Sequence, residues 1–190
     1  MDEKELIRRS QAGDGEAFGV LIERYKSKVF SLVYGFTRDR TAADDLAQEV
    51  FIKTYYSLPK FKSESGFGTW LYRIAVNHAK DYLRKNKGRQ REVSLDEVGE
   101  QALTAENRSP EEKRLEEGRR RVIQDALARL PEKDRVILTL RDIEGLSYDE
   151  ISGILKLSPG TVDSRLHRAR RKLREKLAGR LDWQGGDHGL

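Results

Sequence analysis

Arg165, Arg168, Arg170, Arg171, Lys172, Arg174 and Lys176 crowd into one short stretch in which Glu175 is the only acid. Cations packed this densely repel one another, and a polyphosphate relieves that repulsion. A solvated charged face is the alternative, and it would show acids alternating with bases in salt-bridging register. Acids are scarce after Asp163. The chemistry on offer is recognition of an anionic polymer, and no bond-breaking apparatus accompanies it. His78, His167 and His188 lack metal-ligand spacing, no phosphate-cradling Gly loop is present, and no nucleophile is paired with a base. Neither a catalytic site nor a cofactor or metal is expected.

The elements that must position these cations are legible from their caps. Ser147-Tyr148-Asp149-Glu150 spells a capping box, with Tyr148, Ile151, Ile154 and Leu155 on the apolar face behind it. After Lys156-Leu157, Ser158 can cap a second helix and Pro159 suits its first position, where no amide hydrogen is needed. At about 100° per residue, Val162, Leu166, Ala169, Leu173 and Leu177 share one stripe. Gly160, Ser164, His167, Arg168 and Arg171 point the other way. A helix, a tight turn and a basic second helix read as a duplex-DNA reader.

A chain of 190 residues with 37% hydrophobic and 36% charged residues can bury modest helical cores. Its net charge of +5 suits an anionic partner without identifying it. With no Cys there are no disulfides or thiolate metal sites, as fits a reducing compartment. No apolar run follows Met1-Asp2-Glu3-Lys4, so neither a signal peptide nor a membrane span is expected, and the reading is a soluble, cytoplasmic protein.

Helical periodicity dominates, and the expected fold is all-α: two small helical domains joined by a flexible linker. A short helix over Lys4 to Gln11 is ended by Gly13. Asp14 caps a second with the stripe Phe18, Leu21, Ile22 and Tyr25, and Val29, Phe30, Leu32, Val33 and Phe36 form a third. Thr41 is expected to cap a longer helix, with Ala43, Leu46, Ala47, Val50, Phe51, Thr54, Tyr55 and Leu58 inward and Pro59 closing it. After a polar loop, a helix from about Gly68 to Lys85 turns Leu71, Ile74, Ala75, His78 and Tyr82 inward. Residues 1–87 form the first domain, 88–109 the linker, 110–178 the second domain and 179–190 a Gly-rich flexible tail. Within the second domain, helix restarts at Ser109-Pro110; Val122, Ile123, Ala126, Leu127 and Leu130 make a stripe halted at Pro131, and Val136, Ile137 and Leu140 another ended near Gly145.

Two further surfaces stand out. Trp70, Arg73, Asn77, Lys80 and Arg84 succeed one another on the outer face of the Gly68 to Lys85 helix. An exposed Trp with the loop aromatics Phe61 and Phe67 suits unstacked bases, which need a free ring face; alternatively Trp70 completes the core and the cations are solvated. Asp44, Asp45, Gln48 and Glu49 form an acidic patch on the Thr41 helix. Dipole compensation accounts for Asp44 and Asp45, while Gln48 and Glu49 suggest a partner with a basic surface.

In this order the pieces resemble bacterial sigma factors of the extracytoplasmic-function group, close to the sigma-E type, over nearly the whole chain. Gly13-Asp14-Gly15-Glu16-Ala17-Phe18 resembles the start of the sigma-2 domain, and Asp44-Asp45-Leu46-Ala47-Gln48-Glu49-Val50-Phe51 its polymerase-binding helix. Phe67-Gly68-Thr69-Trp70-Leu71-Tyr72-Arg73-Ile74-Ala75-Val76-Asn77 is similar to the segment that melts and reads the −10 element. Leu130-Pro131-Glu132, Glu144 to Ile151 and Pro159-Gly160-Thr161-Val162 resemble the sigma-4 domain, reader of the −35 element. The resemblance implies a dissociable, non-enzymatic subunit that gives core RNA polymerase its promoter choice.

Asp44, Asp45, Gln48 and Glu49 would then meet the clamp helices of the beta-prime subunit, and the sigma-4 domain the beta flap. Phe61, Lys62, Ser63, Phe67, Trp70, Arg73, Asn77, Lys80 and Arg84 would handle the opened non-template strand, with a flipped base held by Asn77 and the 61–66 loop. Thr161, Asp163, Ser164, Arg165, His167, Arg168 and Arg171 would face the −35 duplex in the major groove. An anti-sigma partner is also implied.

Two residues depart from the group. Asp163 stands where relatives often carry a basic or longer polar residue, and a carboxylate there could accept from a cytosine amino group. His78 replaces a residue that is usually small or aliphatic and reads as a packed histidine. No sigma-1 domain is expected before the first helix and no extra domain after Leu177. A helix-turn-helix activator is the main rival, but it needs neither the acidic helix nor the Trp70 to Arg84 stripe. A recombinase lacks its catalytic residues here.

Overall fold

The structure is a computed structural model that describes residues 2–86, 118 and 122–178, and every regular element among them is helical. The expected linker over 88–109, the helix restart at Ser109-Pro110 and the tail over 179–190 lie outside the described residues. In chain order come α1 (Glu3–Gln11), α2 (Gly15–Thr37), α3 (Arg40–Ser57) and a 3-10 turn, Leu58–Lys60. Then follow α4 (Phe67–Asn86), α5 (122–128) and α6 (Glu132–Leu138), which continues into a π-helical turn, Thr139–Ile143. The chain's described part ends with α7 (Tyr148–Leu155) and α8 (Pro159–Leu177). None of these helices is long and apolar enough to cross a membrane.

The stripes expected over 15–37 belong to one continuous helix. Lys26-Ser27-Lys28 contains neither Gly nor Pro, so nothing interrupts the turn between them. Asp14 caps α2 by accepting the Ala17 N–H at 3.0 Å. Its C-terminus closes on Arg38, whose left-handed φ of 57° turns the chain straight into α3. That turn leaves Asp39 extended, and its carboxylate takes the Ala42 N–H at 3.0 Å. Asp39 is therefore the cap, and Thr41 lies inside the first turn.

α2 is the hub of the first half, packing against α1, α3 and α4. Leu6, Leu21, Val29, Leu32, Val33, Val50 and Leu71 are buried there. In the second half α8 packs on α6 and α7, burying Ile137, Leu140, Ile151, Ile154, Val162 and Leu166. The two cores meet: α4 lies against α7, and α2 against α6. This second neighbour explains why α4 also buries Tyr72, Val76 and Ala79, which the inward stripe read from sequence omits. His78, Ile74 and Tyr82 are only partly buried, and Tyr55, expected inward on α3, keeps 40% of its surface exposed while its ring packs on Phe18.

The start of α7 has the reciprocal box expected of it: the Glu150 N–H donates to the Ser147 hydroxyl at 3.3 Å, and the Ser147 N–H to the Glu150 carboxylate at 2.8 Å. Replacing Ser147 by alanine removes one acceptor from an orphan amide. It is expected to lower the unfolding free energy by about 1 kcal/mol, measured as a shift in the urea midpoint.

Candidate nucleic-acid interface

Burial of Val162, Leu166 and Ala169 orients α8 on its half. Asp163, Ser164, His167, Arg168 and Arg171 are left exposed, with Thr161 and Arg165 partly so, and all lie on the surface away from the core. The first turn is fixed by Ser158, whose hydroxyl accepts the Thr161 N–H at 3.3 Å and bonds the Thr161 hydroxyl at 2.7 Å.

The cations of α8 are not equivalent. Arg170 grips Asp142 with two bonds, Nη2 to Oδ1 at 2.5 Å and Nε to Oδ2 at 3.2 Å. Lys172 donates to Asp134 at 2.5 Å, and that carboxylate is 5% exposed. Acids distant in sequence thus neutralise part of the run that looks self-repelling when read linearly. Arg165, Arg168 and Arg171 remain directed outward, Arg171 with only a 3.8 Å approach to Glu175.

On α4, Arg73, Asn77, Lys80 and Arg84 are exposed. The aromatics differ from the expectation of a free stacking platform. Phe61 is 7% and Phe67 3% exposed, and they cluster with the half-buried Trp70 at centroid distances of 4.8 Å (Phe61 to Trp70), 5.9 Å (Phe61 to Phe67) and 5.8 Å (Phe67 to Trp70). Tyr25 stands on the edge of Phe67 at 5.4 Å. The rings brace one another, and their work is to hold the loop. Gly68 permits this approach, since a Cβ there would lie 3.1 Å from the Tyr25 ring. From the other side Gln11 Nε2 donates to the Leu58 and Phe61 carbonyls at 3.0 and 2.9 Å. What the loop presents to solvent is Lys62, Ser63, Glu64 and Gly66, with Ser63 at a left-handed φ of 57° that non-glycine residues rarely adopt.

Asp44, Asp45, Gln48 and Glu49 are all exposed on α3. The same surface continues through Ile52, 58% exposed, and Tyr56, 76% exposed. The inward set read from the sequence already leaves both out, but their apolar character gives no reason to join them to an acidic patch.

The contact between the halves involves the start of α4. Thr69 donates its hydroxyl to Glu150 at 2.6 Å, so the capping carboxylate of α7 also binds α4. Those bonds, the Thr69 hydroxyl first and the Ser147 amide next, hold the Glu150 carboxyl below the usual glutamate range. Tyr72 donates to Glu144 at 2.7 Å, and Lys28 approaches the same carboxylate at 3.7 Å. Burial, then the bond to Glu144, pushes the Tyr72 phenol up. Lys80, though exposed, is held below the ordinary lysine value, first by the part of its hydration that neighbouring groups displace and then by the nearby positive charges of Lys156 and Arg165, with Glu132 opposing. The basic faces of α4 and the helix-turn-helix are thus close enough to repel.

Together these features define a two-headed, all-helical nucleic-acid-binding protein with a separate acidic face. Residues 21–89 match Sigma-70 region 2, and residues 120–173 match Sigma-70, region 4. The sequence is 40% identical to the ECF RNA polymerase sigma-E factor of Escherichia coli, over 90% of this chain and 92% of that protein. It is 38% identical to the RNA polymerase sigma-H factor of Pseudomonas aeruginosa, over 92% of this chain and 93% of that protein. The fold is similar to that of CnrH in complex with the cytosolic domain of CnrY, with a TM-score of 0.65 at 26% identity, covering 94% of this chain and 99% of the other. The sigma factor RpoE in complex with the anti-sigma factor NepR, from Bartonella quintana, shares the fold at a TM-score of 0.65 and 20% identity, over 86% of this chain and 98% of the other. The chain belongs to the sigma-70 family, in its extracytoplasmic-function group, and is an alternative sigma factor directing promoter-specific initiation by RNA polymerase.

Proposed function

We propose that two domains, 1–87 and 110–178, divide promoter reading between them across the 88–109 linker. Thr161, Asp163, Ser164, Arg165, His167, Arg168 and Arg171 meet the −35 duplex. Lys62, Ser63, Arg73, Asn77, Lys80 and Arg84 take the opened −10 strand, while Phe61, Phe67 and Trp70 hold the loop that receives a flipped base. Asp44, Asp45, Gln48 and Glu49 dock on the beta-prime clamp helices, and the second domain on the beta flap. The protein breaks no bond itself and works in the cytoplasm, where a partner protein of the anti-sigma kind holds it inactive. The observation carrying this reading is the free, exposed face of α8 above a fully capped helix-turn-helix, accompanied by a second basic face on α4.

The bonds from Thr69 to Glu150 and from Tyr72 to Glu144 keep the two halves together, and spanning both promoter elements requires these bonds to open. DNA phosphates, which attract Lys80, Lys156 and Arg165, favour opening. The deciding experiment is initiation by core polymerase lacking any other sigma factor, reconstituted with this chain. Promoter sequences enriched by that holoenzyme supply its template, and failure to initiate on them overturns the reading.

Point variants separate the two readers. Asn77→Ala is expected to lower open-complex formation, seen by permanganate footprinting, while core binding persists. Arg168→Ala should weaken upstream recognition by about 1–3 kcal/mol if it reads a base, measured by competition between matched and altered −35 sequences.

A further inference from the structure

His78 sits beside Asn77 on α4, and its side chain keeps 11% of its surface in solvent. Its two ring nitrogens face opposite charges on α3. Nε2 meets the Glu49 carboxylate, and Nδ1 meets the Lys53 ammonium at 2.5 Å. An ammonium only donates and a carboxylate only accepts, so the network fixes the tautomer: Nε2 carries the proton and Nδ1 presents its lone pair. Glu49 and Lys53 are one helical turn apart, and the imidazole bridges them from the neighbouring helix.

Lys53 and His78 also line a cavity of about 350 Å³ between α3 and α4, shared with Asn77, Tyr56, Ser57 and Asp81. The cavity is open to solvent, and the exposed Asn77 is one of its lining residues. Held by Nδ1, Lys53 keeps two of its three donors for an acceptor in that space. Among the described residues nothing else accepts from Lys53. A long lysine side chain normally loses rotamer freedom when it binds, and a neighbour that fixes it in advance reduces that cost.

We propose that Lys53 contacts the opened promoter strand in this cavity and that His78 is the positioning residue holding its ammonium there. This rests on the assignment of Asn77 to the opened strand. An ammonium beside an amide suits a base carbonyl or a strand phosphate, both of which accept hydrogen bonds.

The test measures holoenzyme affinity for the single-stranded non-template −10 segment of a promoter that the holoenzyme transcribes. Lys53→Ala is expected to weaken binding about tenfold and to flatten the log–log salt dependence by about 0.7. His78→Leu, which fills the same space without polar atoms, should reproduce most of that loss. His78→Gln, which can still donate to Glu49 and accept from Lys53, should retain binding. The double variant Lys53→Ala with His78→Leu should be no weaker than Lys53→Ala alone, because both remove one interaction. Additive losses, or a His78→Leu protein that binds like the unaltered one, overturn the positioning role. A Lys53→Ala protein with unchanged affinity and salt slope overturns the contact itself. If the unaltered holoenzyme does not bind the strand, the assignment of α4 fails and the proposal fails with it.

Discussion

Arg135→Ala is expected to lower the unfolding free energy by about 3 kcal/mol and to loosen α6 from α2. The residue is 5% exposed, and among the described residues no carboxylate bonds to it. Instead its Nε donates to the Gly35 carbonyl of α2 at 2.5 Å, and its Nη1 to the Ala128 and Leu130 carbonyls at 3.2 and 2.7 Å. Burial first, and then the nearby positive charge of Arg38, bring the guanidinium down to about 10 from its ordinary value. Alanine would strand these acceptors in a site shaped around a planar fork. Each buried acceptor without a donor costs about 1–3 kcal/mol, offset by relief of the buried charge and by water that enters. Lysine should recover only part of the loss, since one compact ammonium cannot span carbonyls from both halves. The readouts are the urea midpoint and hydrogen exchange at the C-terminal end of α2. A loss well under about 1 kcal/mol would show that water replaces the fork at little cost.

The same residue shows where sequence reasoning stops. Capping boxes, Pro at a first helical position and stripes at helical spacing are local signals, and α7 and α8 were legible because their caps and apolar faces lie within a few residues of one another. The boundary of α3 was less so. Asp39 and Thr41 are both good caps, and the choice is made by the left-handed turn at Arg38, which local composition does not announce. Arg135 and Glu144 look like surface charges until the other half of the chain covers them. Phe61 and Phe67 look like an open stacking platform until Tyr25 and Trp70 close on them. The candidate site is legible in the sequence as faces and signs of charge, while its internal wiring depends on contacts across helices. The Glu49, His78 and Lys53 bridge is intermediate: the spacing of Glu49 and Lys53 is visible, but not that α4 brings an imidazole between them.

Binding of the holoenzyme to its promoter is expected to weaken about 10³-fold between 50 and 200 mM salt, as neutralising about six phosphates requires. The informative part is which cations set that slope. Arg165, Arg168 and Arg171 face outward on α8, whereas Arg170 and Lys172 are held by Asp142 and Asp134, carboxylates 28 and 38 residues away. Arg168→Ala should therefore flatten the log–log slope by about 0.9, the loss of one released counterion. Arg170→Ala should leave the slope unchanged and instead cost up to about 1 kcal/mol of stability, the range for a partly exposed ion pair. Asp142→Asn separates the two roles, because it keeps the shape of the partner and releases the cation. That variant should bind DNA more tightly at low salt and show a slope steeper by about 0.9. Equal flattening by Arg168→Ala and Arg170→Ala would mean that Asp142 yields its arginine to the phosphates on binding, so that the ion pair belongs only to the free protein.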